Sequence, residues 1–279
     1  MFLKSENEMK KISINQIGKS ACGPTAIINV LNSLDIPSPS PEKILEIVPA
    51  RLRNYETNNL LEYLISRILA GTNHNDLINA LLKITNNNLI AKFFIINPYE
   101  DKIKFKEFLN KLFNLKCSLI FTENLFLVGN DAWHHQMCYG IKDNLLYLTN
   151  PFETVTINQI FNYITNGNFM IIPKEHVLGR KIEKEDLKEF EKEKWENFSV
   201  KEQIINIIYK EKLKENNIDK NEYFNIFNDL IIPYGGLGGI SVFCKNDNKE
   251  AIDFLNSFNE QDIYLPFYDY NCKIIKLSL

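Results

Sequence analysis

Directly after Pro24 the apolar residues recur at a helical period. Ala26, Ile27, Val30, Leu31 and Leu34 share one face of a 3.6-residue repeat. Proline is tolerated in a first helical turn, where its missing amide has no intrahelical partner. Cys22 therefore falls at or just before the start of this helix. A loop, Pro37-Ser-Pro39-Ser40-Pro41, follows, and Ser40-Pro41-Glu42 opens a helix running to about Val48. The strongest stripe, Leu60, Leu61, Leu64, Ile65, Ile68 and Leu69, predicts a helix over 58–70 that Gly71 ends, and another helix spans 75–84. Short apolar runs then predict strands over 89–96, 117–121 and 125–128, with a helix over 103–113 between the first two. His134 to Ile141 reads as a strand left at Gly140. The polar turn Lys142-Asp143-Asn144 and the run Leu145–Thr149 complete a hairpin. A short helix over 157–164 and a strand over 168–173 follow. Helices first and strands later predict an α+β protein of two lobes with a cleft between them.

Beyond Pro173 the pattern changes. Residues 181–217 are dominated by Lys and Glu, the mark of solvated helix faces with i,i+4 pairs. The stripe Ile204, Ile205, Ile208 and Leu213 needs something to pack on, so the region is ordered. The glycine-rich Ile231–Gly239 leads into a strand over 240–244, a helix over 249–258 and a last strand over 273–279. That loop lacks the Lys-Ser/Thr of a phosphate-binding loop and reads as a tight turn or a lid. The expected division is a domain over 1–173 and a helical, then small α/β, C-terminal appendage over 174–279.

Composition narrows the classes. A chain of 279 residues, 45% hydrophobic and 12% aromatic, can bury a substantial core. A net charge of −3 argues against a binder that neutralises nucleic-acid phosphates. Cys22, Cys117, Cys138, Cys244 and Cys272 are widely spread, without the paired spacing of a zinc site, and suit a reducing compartment with one reactive thiol. With no HExxH or CxxC pattern, neither metal nor other cofactor is expected, and His74 and His176 read as solvated. Acids among the first residues exclude a signal peptide, and no apolar run approaches a membrane span. The expectation is a soluble, cytoplasmic protein with neither membrane nor nucleic-acid partner.

The chemistry concentrates at two places. Unpaired amides and the dipole at a helix N-terminus favour an anion, which lowers a thiol pKa, so Cys22 reads as a nucleophile. A nucleophile needs a base. Hairpin geometry brings His134, at the start of one strand, beside Asn150, at the end of the next. An Asn150 amide oxygen accepting the imidazole N–H would leave the other ring nitrogen for the thiol. Alternation puts Gln136 and Cys138 on the side of His134, and His135, Met137 and Tyr139 on the other. His135 reads as a packed strand histidine. Gly23 and Trp133, next to the thiol and the base, are the candidate substrate contacts. The plainer alternatives are a buried Cys22, an Asn-Pro turn at Asn150 and a structural indole at Trp133.

Gln16, five residues, Cys22; His134, five residues, Gly140; then Asn150 ten residues later: this order resembles the papain-like cysteine peptidases. Cys22-Gly23-Pro24-Thr25-Ala26 with Val30–Leu34, and Leu148-Thr149-Asn150-Pro151, are similar to the bacteriocin-processing (double-glycine) branch, which commonly carries Asp-Pro at the last motif. The resemblance covers residues 12–173. It implies a papain-like two-lobed fold, with a helical lobe carrying Cys22 and an antiparallel sheet lobe carrying His134 and Asn150. By the same resemblance Cys22 is the nucleophile, His134 the general base and acid, and Asn150 the imidazole's orienter. Gln16 and the Cys22 amide would form the oxyanion hole. The implied activity is a thiol hydrolase cleaving peptide or isopeptide bonds in a peptide or protein substrate. A transferase with the same residues and a non-catalytic peptidase-like binding module are the alternatives.

Overall fold

The computed structural model describes residues 1–130, 132–215 and 229–258. In chain order its helices are α1 (Glu6–Ile12), α2 (Cys22–Ser33), α3 (Pro41–Ile47), α4 (Leu60–Leu69), α5 (His74–Ile84), α6 (Lys102–Asn114), α7 (Ile157–Thr165), α8 (Lys174–Leu178), α9 (Lys184–Glu189), α10 (Glu193–Glu196), α11 (Val200–Glu215) and α12 (Lys249–Asn256). The strands are β1 (Leu89–Phe94), β2 (Ser118–Asn124), β3 (Trp133–Lys142), β4 (Leu145–Leu148), β5 (Glu153–Thr156), β6 (Phe169–Ile172), β7 (Leu230–Pro233) and β8 (Gly239–Lys245). The chain forms two compact units. One comprises Met1–Leu52, Ala70–Gly167 and the described residues from Gly236 onward; the other, Arg53–Leu69 and the described part of Asn168–Gly235.

The first unit is α+β, built on a six-stranded sheet in the order β1-β8-β2-β3-β4-β5 with every neighbouring pair antiparallel. Strand β8, read from the sequence as part of the appendage, lies inside this sheet between β1 and β2. Its residues explain why. Ile240, Val242 and Cys244 are buried in one core and Phe243 in the other, so the strand needs cover on both faces and a partner on each edge. One core holds Ile27, Val30 and Leu31 of α2 against Ile120, Met137 and Tyr139. The opposite core packs Leu109 and Leu112 of α6 and Ile160 and Phe161 of α7 on Leu119, Phe121 and Cys138. Helices thus cover both faces of one antiparallel sheet, and the α+β class expected from the sequence is the one observed. The expected strand at 125–128 is instead a 3₁₀ turn, Phe126–Val128, closed at Gly129 with φ 83°, where glycine carries no steric penalty. Gly140 permits a close approach: a Cβ there would meet the Phe2 ring at 2.1 Å.

In the second unit, β6 pairs antiparallel with β7. Helix α4, expected with the early helices, belongs here. Trp195 is fully buried, edge-on to Phe190 at 5.3 Å. The buried face of α11 is Val200, Ile204 and Ile207, while Ile205 is 49% exposed; the side chain of Leu213 lies outside the described residues, as does the expected strand over 273–279. His176, expected in solvent, shares a 2.6 Å hydrogen bond between its Nδ1 and the Tyr63 hydroxyl. Among the described residues no helix is long and apolar enough to cross a membrane.

Candidate active site

Cys22 is the first residue of α2, 7% exposed and outside any disulfide. The N-cap residue, Ala21, has no side chain able to bond the first-turn amides, and no acid occupies that turn. Buried polar residues along α2 hold the preceding segment in place. Ile17 donates its amide to Thr25 Oγ1 at 3.2 Å, and Asn29 bonds Ile14 through both its amide oxygen and nitrogen. Gln16 lies in this anchored segment, exposed, and donates Nε2–H to the Gly18 carbonyl at 2.9 Å. A carboxamide nitrogen carries two protons, so this bond uses only one of them.

On β3, His134 donates Nε2–H to the backbone carbonyl of Asn150, 2.9 Å away. The carbonyl can only accept, so Nδ1 holds the ring's lone pair. The hairpin therefore brings His134 and Asn150 together as expected, but through a different atom. Asn150 has φ 62°, a left-handed turn conformation that asparagine tolerates, and it is the main-chain oxygen that meets the imidazole. Its side-chain Nδ2 is buried with no hydrogen-bond partner among the described residues. Gln136 reaches the same carbonyl at 3.3 Å and donates to Glu153 Oε1 at 2.7 Å. Burial pushes the His134 imidazole pKa down, while the Asn150 bond and the Glu153 charge push it back up.

Strand alternation is as expected, and the face carrying His135, Met137 and Tyr139 is the one packed on α2. His135 is 1% exposed and both ring nitrogens are occupied: Nε2 donates to the Thr72 carbonyl at 2.7 Å and Nδ1 accepts from Thr122 Oγ1 at 3.1 Å. Burial drives its pKa down to about 4, against the opposing effect of the Thr72 bond. A neutral ring with no vacant nitrogen cannot serve as a base. Thr72 also presses on Gly23, where a Cβ would lie 2.6 Å from both Thr72 Cβ and Oγ1. Gly23 thus has a packing reason to be glycine, besides the substrate contact expected of it. Trp133 is half-buried at the start of β3, opposite Asn124. His74, expected in solvent, stacks on Phe93 with ring centres 4.0 Å apart.

Three residues that motif spacing does not reveal complete this region. Glu123 is the cross-strand partner of His134, 1% exposed, and its carboxyl pKa stands well above the usual range through burial and then the Glu153 charge. Gln136 and Glu153 form the link to Asn150 already described. Alternation alone marks Gln136 as sharing the His134 face; nothing local marks Glu123 or Glu153. Burial drives the Cys117 and Cys138 thiols upward, Cys138 to about 12; for Cys117 the larger cause is its hydrogen bond with Cys244. Among the described residues no group of three or more His, Cys, Asp or Glu side chains could hold a metal ion.

No family model matches the chain, and no curated protein matches its sequence. Solved structures are similar to part of the chain, two of them as follows. One is a double glycine motif protease from an AMS/PCAT transporter, in complex with the leader peptide. It is 18% identical, with TM-score 0.35 over 54% of this chain and 83% of that one. The other is the peptidase domain of Streptococcus ComA, a bi-functional ABC transporter involved in a quorum sensing pathway. It is 14% identical, with TM-score 0.34 over 54% of this chain and 89% of that one.

Proposed function

We propose that this chain is a papain-like thiol hydrolase that cleaves a peptide or isopeptide bond through an acyl-enzyme on Cys22. The observation that carries this reading is the tautomer of His134. Its Nε2–H is engaged by the Asn150 carbonyl, so Nδ1 is the basic nitrogen, at the start of a strand whose other face, carrying Met137 and Tyr139, packs on the helix that Cys22 begins. The chemistry then runs in balanced steps. Nδ1 takes the thiol proton, and the thiolate attacks the substrate carbonyl. The resulting oxyanion is met by the Cys22 amide at the uncapped helix start and by the second amide proton of Gln16. His134 returns its proton to the leaving amine, which departs as the C–N bond breaks. Water, activated by the same nitrogen, hydrolyses the thioester and regenerates the thiol. The setting for this work is the cytoplasm.

The test is a library of peptide and isopeptide substrates offered to the wild type and to Cys22→Ala, with parallel labelling by a thiol-directed electrophile. Cleavage and Cys22 labelling by the wild type, both lost in a folded Cys22→Ala protein, are expected. Undiminished cleavage by the variant removes Cys22 from the reaction.

A further inference from the structure

We infer that Glu153 is the carboxylate supporting the His134 imidazole, held in position by Gln136, so that the charge behind the base comes from β5 and not from residue 150. This rests on the reading of His134 as the base. Residue 150 is an asparagine and offers the ring a neutral carbonyl, while its side-chain Nδ2 is buried with no hydrogen-bond partner among the described residues. That carbonyl is shared. Gln136 donates one amide proton to it at 3.3 Å and the other to Glu153 Oε1 at 2.7 Å, and at 2% exposure its carboxamide is shielded from competing water. The pairing of Leu148 with Glu153 across β4 and β5 delivers this carboxylate beside the turn that contains Asn150.

The other ionisable groups around the ring do not supply this charge. Glu123, facing His134 from β2, is enclosed, and burial drives its carboxyl pKa well above the usual range, which disfavours the charged form. His135, on the far face of β3, is neutral, and Cys22 heads α2. Among the described residues, Glu153 is therefore the carboxylate left on this face. A carboxylate there favours the imidazolium, and with it the thiolate–imidazolium pair that makes the sulfur reactive. Glu153 is itself exposed, so salt screens part of its influence. Gln136 and Glu153 are positioning residues: neither is asked to touch substrate.

Two measurements on the full chain test this. The first is the pH profile of Cys22 alkylation by iodoacetate, an anionic reagent that reads the thiolate and imidazolium together, with the modified site mapped. Glu153→Gln should move the alkaline limb to lower pH and slow alkylation near neutrality by about threefold, the scale of an exposed charge pair. It should also abolish the salt dependence of that limb. Gln136→Met should shift the limb in the same direction although Glu153 remains. The second is an NMR titration of the His134 ring in a Cys22→Ala background, which needs no reaction. There Glu153→Gln should lower the midpoint. An unmoved midpoint overturns the inference while leaving any Cys22 labelling intact. A lowered midpoint in a protein whose Cys22 never reacts upholds the inference and sinks the hydrolase instead.

Discussion

Asn29, at the middle of α2, donates its side-chain amide to Thr149 Oγ1 at 3.1 Å, and so ties the helix that begins at Cys22 to the residue preceding Asn150. The same side chain bonds the amide and carbonyl of Ile14, ahead of Gln16. One fully buried amide thus holds together the loop with Gln16, the helix with Cys22 and the turn that holds His134. Asn29→Ala would strand these partners in the interior. We expect a loss of about 2–4 kcal/mol, from several buried polar groups left unsatisfied, measured by urea unfolding. A loss within error of zero would mean that water replaces the amide without penalty.

Asn150 contributes its main-chain oxygen, so its side chain should be dispensable for holding the ring. Asn150→Gly keeps the carbonyl and accepts φ 62° without strain. Turnover should stay within about tenfold of wild type, well short of the hundredfold or greater loss typical of a missing catalytic group. A hundredfold loss in the glycine variant would return the orienting role to the carboxamide.

His135 makes the fold sensitive to acid. Its folded pKa, about 4, lies below the ordinary 6.5, so the unfolded chain binds a proton that the native state excludes. Its contribution is fully present above pH 6.5 and is lost as the pH falls from 6.5 to about 4. The full loss is about 3 kcal/mol by the usual conversion of a pKa difference into free energy. His135→Gln should unfold with a weaker pH dependence across that window in calorimetry. Parallel curves for the two proteins would show that the ring is protonated natively.

Glu123 acts in the opposite direction. Its folded pKa is raised above the ordinary 4.5, so the native state retains a proton that the unfolded chain releases. Stability from this group is present below pH 4.5 and declines as the pH climbs through the window up to the raised value. Glu123→Gln keeps the shape and removes the titration. Its stability relative to wild type should rise as the pH climbs above 4.5. A constant difference as the pH rises would place an ionised carboxylate in the core.

Much of this was legible because it is local. The hairpin of β3 and β4 follows from alternation and a polar turn, and a separation of sixteen positions leaves His134 and Asn150 little choice but to meet. The start of α2 was equally readable from Pro24 and the stripe behind it. The atom by which residue 150 meets the ring was not, because that depends on a left-handed backbone torsion that many Asn-Pro sequences never adopt. Likewise the stretch over 125–128 has strand-like letters, yet Gly129 and the bond from the Phe126 amide to Asn124 Oδ1 curl it into a turn.

Periodicity and residue type alone determined the helix behind Cys22, the strand pair around His134 and the kind of chemistry those side chains permit, since each depends on neighbours a few positions away. Tertiary structure decided the rest. It inserted residues 239–245 between two strands more than a hundred residues upstream, paired Glu123 with His134, and brought Glu153 to Gln136. Strand order and cross-strand register are set by burying both faces of a sheet at once, and that requirement is met only when the distant parts of the chain are assembled together.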